Sequence, residues 1–128
     1  KSYPFTLIGV DAEEAQKCMD KNNQTTCFIN GNTLLIDLGE ERTITSFHYL
    51  PDQSEYNKGV IAAYEISVGT DSNAVNQLVA KDEFSNIKSN PILQSVYFTP
   101  VNARYVQLKA TRMIHDGEPM GLAEIGIQ

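Results

Sequence analysis

Seven consecutive residues, Asp20-Lys21-Asn22-Asn23-Gln24-Thr25-Thr26, carry an acid, three amides and two hydroxyls, with no apolar side chain among them. A segment this rich in oxygen cannot enter a core unless something satisfies those oxygens. One solution is a surface loop of Asx-turns, in which side-chain oxygens accept from nearby backbone N–H groups. The other is a hard cation, which gathers about 6–8 oxygens from carboxylates, amides and carbonyls. The residues alone leave both open. The segment is not an EF-hand: counting Asp20 as position 1, Thr25 stands where glycine is needed and Gly31 where the closing glutamate is needed. Any remaining ligands must come from elsewhere in the chain. Cys18 and Cys27 flank the segment. They read either as a disulfide closing the loop or as two small buried hydrophobes. With no Cys-x-x-Cys, and with His48 and His115 far off, they do not make a metal site.

Catalytic chemistry leaves no comparable mark. There is no Gly-x-Ser-x-Gly, no His-Glu-x-x-His and no phosphate loop. A glycosidase needs two carboxylates facing each other at ~5–10 Å, and no such pair is marked. Glu13-Glu14 and Glu40-Glu41 are local neighbours that read as solvated faces. The chain is therefore expected not to be an enzyme in its own right. A net charge of −6 argues against nucleic acid and against an anionic membrane surface. It is compatible with neutral ligands and divalent cations. No apolar run is long enough to span a bilayer. The start at Lys1-Ser2-Tyr3-Pro4, without methionine, reads as a mature or excised piece of something longer.

The elements that must position the loop are mostly short strands. Phe5 to Val10 reads as a first strand, followed by a helix start with Asp11 capping and Glu14 at the third position. Ala12, Ala15 and Met19 are its inward candidates. Leu34 to Leu38 reads as a strand stopped by Gly39, and Ile44 to Leu50 as another ended by Pro51. Val60, Ala62, Tyr64, Ile66 and Val68 alternate strictly. Short strands are expected near Gln77–Ala80 and Glu83–Phe84. Gln94, Val96 and Phe98 alternate until Thr99-Pro100 breaks them; Val106, Leu108 and Ala110 then alternate, as do Ala123, Ile125 and Ile127. One domain of 128 residues, with many strands and almost no helix, implies an all-β antiparallel sandwich. Its expected core is Ile36, Leu38, Tyr64, Ile66, Val96, Phe98, Val106, Leu108, Ile125 and Ile127.

Four segments, in order, resemble the discoidin or coagulation factor 5/8 type C family, whose bacterial members are family 32 carbohydrate-binding modules. They are Met19 to Thr25, Ile36-Asp37-Leu38-Gly39, Tyr64 to Val68, and Ala103 to Leu108 followed by Ala123-Glu124-Ile125. His48-Tyr49-Leu50-Pro51 and Gly59-Val60-Ile61 are most similar to modules of bacterial glycoside hydrolases, α-L-fucosidases among them. The resemblance implies an eight-stranded jelly roll, galactose-binding domain-like, with a structural Ca²⁺. The implied ligands are the carbonyls of Lys17, Asn23 and Ala123, the side chains of Asp20 and Glu124, and both oxygens of Thr25. It also implies a glycan partner, a catalytic domain in the same parent chain, a secreted, periplasmic or cell-surface location, and a monomer in isolation. The sugar candidates are Phe28, Asn30, Asn32, His48, Asp52, Tyr56, Asn57, Arg112, His115 and Asp116, with Tyr56 or Phe28 stacking on a galactose- or fucose-type ring. The chain departs from the family pattern at Lys21, where glycine is usual, at Cys27, where tryptophan is usual, and at Asp52, where arginine is frequent. The departures leave room for an accessory domain that packs on a catalytic neighbour and binds no sugar.

Overall fold

Two long strands, β3 (Thr33–Leu50) and β6 (Gln94–Met113), run through the whole of the computed structural model, which describes residues 1–128. They pair antiparallel, with register shifts between Asp37/Arg42 and Ile44/Ser46. At the first shift β3 carries the extra residues, and Gly39 takes φ +85°. At the second the extra residues, Phe98 to Pro100, are on β6. Such bulges bend a strand without ending it. The expected breaks at Gly39 and at Thr99-Pro100 are therefore bends inside continuous strands, and proline is tolerated because that stretch is unpaired.

The bends let each long strand serve two layers. The first half of β3 and the second half of β6 pair with each other, β1 (Thr6–Ile8) lies along β3, β4 (Ile61–Gly69) along β6, and β5 (Gln77–Glu83) along β4. The second half of β3 pairs with the first half of β6 on one side and with β8 (Glu124–Ile127) on the other. A separate ribbon of β2 (Cys27–Ile29) and β7 (Met120–Leu122) completes the eight strands. This is an antiparallel jelly-roll sandwich, as the strand pattern implies.

One apolar cluster fills the interior, and it contains every expected core residue except Phe98. Phe98 is half-buried because it sits in the β6 bulge, where alternation is interrupted. Phe84 lies between Tyr64 and Tyr49, with ring centroids 4.5 and 5.3 Å away. Tyr49 is fully buried; its hydroxyl donates to the Gly121 carbonyl and accepts from the Ile61 N–H, both at 3.1 Å. Burial drives its pKa far above the ordinary tyrosine value, so it remains a neutral strut.

The single helix, α1 (Ala12–Gln16), is capped by Asp11, whose carboxylate accepts from the Glu13 and Glu14 N–H groups. Glu14 does not reach back to close a capping box. Its carboxylate instead accepts from the Phe28 N–H at 2.8 Å, which ties α1 to β2. Ala15 and Cys18 face inward, whereas Ala12 is exposed. Cys18 and Cys27 are joined in a disulfide, with Cα atoms 5.3 Å apart.

Candidate functional site

The disulfide closes the oxygen-rich loop, and inside it both chemical readings leave traces. Asp20 Oδ1 accepts from the Asn22 N–H and Asn22 Oδ1 from the Gln24 N–H, which are Asx-turns. Asp20 Oδ2, the Lys17 carbonyl and the Asn22 carbonyl all lie 2.7–3.1 Å from the Thr25 hydroxyl. That hydroxyl has one proton and cannot satisfy three acceptors. Glu124, arriving from the far end of the chain, brings a buried Oε2 with no hydrogen-bond partner. Burial, and then the nearby Asp20 charge, raise the Glu124 pKa above its ordinary value. No three His, Cys, Asp or Glu side chains gather at one point. A cation here would therefore depend on carbonyl and hydroxyl oxygens as well as the two carboxylates, a donor set that suits Ca²⁺. Ala123 is fully buried in the bend just before β8, while Asn23 is exposed and the loop carbonyl in reach of the Thr25 hydroxyl is that of Asn22, at 3.0 Å. Lys21 holds φ +58°, which explains why glycine is the usual residue at its position.

At one end of the sandwich three loops that carry most of the sugar candidates, residues 28–32, 52–58 and 112–120, approach one another. A Cβ on Gly59 would lie 2.4 Å from the Pro119 carbonyl and the Gly121 nitrogen; one on Gly121 would lie 2.5 Å from the Lys58 carbonyl and 2.9 Å from the Phe28 ring. Only glycine at both positions permits this approach. The Gly59 N–H donates to Glu118, and the Ala110 N–H to the Asn32 carbonyl. On this platform Tyr56 is 73 % exposed, with the Lys58 ammonium 6.0 Å from its ring centroid. His115, Asp116, Asn30 and Asn32 are also exposed. Asn57 is half-buried; it holds φ +44°, and its amide donates to the Asp52 carbonyl.

Four candidates are placed differently from the sequence reading. Asp52 is only 5 % exposed and points inward. It accepts from the Thr26 and Ser54 hydroxyls and from the Ser54 and Lys58 N–H groups. Burial pushes its pKa up, yet these hydrogen bonds outweigh it and hold the carboxyl below the usual range. Asp52 therefore shapes the Tyr56 loop from beneath. Phe28 packs its ring against Gly121, so Tyr56 is the freer of the two proposed stacking rings. Arg112 pairs with Glu83 at 3.2 Å, on the β4–β5 side. His48 lies on the outer face of the β8–β3–β6 layer, its ring nitrogens bonded to Ser46 and Ser95, away from the Tyr56 loop. Sequence reading overlooked Glu118, Gly59 and Gly121; isolated glycines beside apolar strands are the available signal of close backbone approach.

The sequence profile of the F5/8 type C domain matches residues 10–125. The chain belongs to the F5/8 type C domain family. Among solved structures, CpGH89CBM32-5 from Clostridium perfringens, in complex with GalNAc-β-1,3-galactose, is 21% identical with a TM-score of 0.76, over 97% of this chain and 91% of that one. The family 32 carbohydrate-binding module of C. perfringens NanJ, in complex with galactose, is 22% identical with a TM-score of 0.74, over the same 97% and 91%. A glycoside hydrolase 29 family member from an unknown rumen bacterium is 31% identical with a TM-score of 0.73, over 94% of this chain but 21% of that one. No curated protein matches.

Within this F5/8 type C domain, two of the family-like segments prove to be each other's partners. Asp37 accepts from Arg104 through both oxygens, at 2.9 and 3.1 Å, and from the Gly39 N–H at 2.7 Å. The fork holds β3 against β6 beside the first bend.

Proposed function

We propose that this F5/8 type C domain is a non-catalytic carbohydrate-binding module of a larger, secreted bacterial glycoside hydrolase. It takes neutral galactose- or fucose-type glycans at the loop end and is held by one structural Ca²⁺. The observation that carries the reading is the close approach of the loops at Gly59 and Gly121, one of which carries the open Tyr56 ring and another the exposed His115 and Asp116. A pyranose places its C–H face on such a ring and its hydroxyls on polar neighbours. The relatives crystallised with galactose-containing ligands support the choice of sugar.

For the metal, Asp20 and Glu124 would supply the charge and the carbonyl and hydroxyl oxygens around Thr25 the remainder; the unpartnered Glu124 oxygen supports this. Bound there, the cation neutralises two carboxylates from opposite ends of the chain. The disulfide supports an oxidising compartment, and no helix is long and apolar enough to cross a membrane. The second reading, an accessory domain that packs on a catalytic neighbour, draws on the rumen relative, in which the matched region is a small part of a hydrolase chain.

Calorimetric titration of the domain with galactose and with fucose tests the first reading. Binding at millimolar sugar, lost in Tyr56→Ala, supports it. No heat with either sugar, and unchanged loop resonances by NMR, would favour the accessory role.

A further inference from the structure

The outer face of the β8–β3–β6 layer is not what a solvent-facing sheet surface requires. Registers place His48 opposite Ser95 and Gly126, Leu50 opposite Glu124, and Ser46 opposite Tyr97, so these side chains share one face. Such faces are ordinarily studded with charges. This one carries a single acid and no lysine or arginine on the strand positions involved. Tyr97 is 74 % exposed and Leu93 53 %. Together with His48, Ser95, Gly126 and Gln128 they border a groove of about 550 Å³. That volume is in the range of small-molecule sites.

The groove is built and stiff. His48 is fixed by Ser46 at 3.0 Å and Ser95 at 2.8 Å. Its ring meets the Tyr97 ring edge-on, with centroids 6.1 Å apart and planes at 85°. Tyr97 is thus braced by His48 while remaining open to solvent. Gly126 keeps the floor low: a Cβ there would already touch His48 at 3.5 Å, and any longer side chain would fill the groove. Ser95 is exposed. Whichever imidazole tautomer is present, its hydroxyl keeps either its proton or a lone pair for a ligand. Gln128, which borders the same groove, carries an amide side chain.

We propose that this groove is a second glycan-binding site, separate from the Tyr56 platform, in which Tyr97 stacks on a neutral pyranose and Ser95 and Gln128 hydrogen-bond its hydroxyls. The chemistry favours a sugar over a protein neighbour. A braced aromatic beside hydroxyl and amide groups, over a glycine floor in a groove of small-molecule size, suits a ring with one C–H face and a polar rim. The site stands or falls independently of the Tyr56 loop, since no residue is shared.

The test is an amide NMR titration of the wild-type domain with methyl β-galactopyranoside and, separately, cellobiose, each to about 50 mM, a range that detects millimolar affinity. The expected result is saturable shifts at Ser95, Tyr97 and Gly126 with at least one probe. Tyr97→Ala should weaken those shifts at least tenfold and leave any response at the Tyr56 loop intact; Tyr56→Ala should do the reverse. Tyr97 is exposed, so its variant should melt with the wild type, and Ser95→Ala provides a second reading. No saturable shift at the groove with either probe, or shifts that survive both groove variants, would overturn the proposal, whatever happens at the Tyr56 loop.

Discussion

Replacing Asp52 should damage the Tyr56 loop more than replacing any exposed residue on it. In the wild type, four donors converge on one carboxylate: the Thr26 hydroxyl at 2.8 Å, the Ser54 N–H at 3.2 Å, the Ser54 hydroxyl at 2.5 Å and the Lys58 N–H at 2.8 Å. A hydrogen bond to a charged group contributes roughly 1.5–3 kcal/mol, and such terms do not add when they share an acceptor. In Asp52→Ala the two hydroxyls can turn to water, because Ser54 is exposed and Thr26 half-exposed. The two N–H groups are fixed by the loop backbone and lose their acceptor. The expected loss is about 3 kcal/mol, or ~10 °C in Tm for a domain of this size. Asp52→Asn keeps one oxygen but sets an NH₂ against one of the loop donors, and should cost about 2 kcal/mol. The acid dependence supplies an internal control. The folded pKa of Asp52 lies below the ordinary 3.8. Its contribution is therefore fully present above that value and is lost as pH falls through the folded pKa. Thermal melts of wild type and both variants, at neutral pH and in acid, should show a gap that closes in acid. A neutral-pH gap under ~0.5 kcal/mol, within the range of ordinary surface substitutions, would refute the idea that Asp52 is the hub of the loop.

Tyr49→Phe should cost about 1–3 kcal/mol, because it strands the buried Ile61 N–H and Gly121 carbonyl; a melt superimposable on wild type would show that the strut is dispensable. Millimolar Ca²⁺ should raise Tm relative to exhaustively chelated protein, by about 2.7 kcal/mol at a hundredfold excess over Kd, and Asp20→Ala should abolish the gain; coincident wild-type curves would leave the loop as Asx-turns alone. The chelated protein should also gain stability as pH falls from neutral towards the Glu124 pKa. That pKa is raised above 4.5 in the folded state, so the folded state binds the proton more tightly than the unfolded chain does. Ca²⁺ should remove this gain, and a chelated stability profile that only falls on acidification would contradict it. Reducing the Cys18–Cys27 bond, with a sequence separation of 9, should cost about 2.7 kcal/mol by the chain-entropy argument, measured by denaturant unfolding with and without reductant.

The core was legible because inward positions repeat every two residues, and from Ile36 to Ile127 that alternation survives folding. The pairing of strands into layers was not. Gly39 and Thr99-Pro100 look like strand ends, and nothing local distinguishes an end from a bulge that bends a strand into a second sheet. The same limit displaced His48. Its strand begins in one layer and finishes in the other, so a residue near the polar loop in sequence faces a different surface in space. Asp52 was misread for another reason. A carboxylate in a polar loop looks solvated, and only the folded loop shows four donors aimed at it. Glu124 was legible as a partner of Asp20 through the family resemblance alone, since more than a hundred residues separate them.

The two ends of the chain meet: the Tyr3 N–H donates to the Ile127 carbonyl, the Ile127 N–H to the Ser2 hydroxyl, and the Thr45 N–H to the Gln128 carbonyl. Thr45 lies five residues down β3 from Leu50, where the Tyr56 loop departs, a distance of about 17 Å along an extended strand. A tether attached at either end would therefore pull from the same side of the domain and leave the Tyr56 loop at the far tip, free to sweep a surface. The Tyr97 groove lies near the anchorage instead, bordered by Gln128 itself. Any polypeptide fused to the C-terminus would crowd that groove before it could reach the tip. Splicing this domain into a surface loop of another protein would require little more than a short bridge at each join, and it would carry the Tyr56 loop outward and the Tyr97 groove against its host.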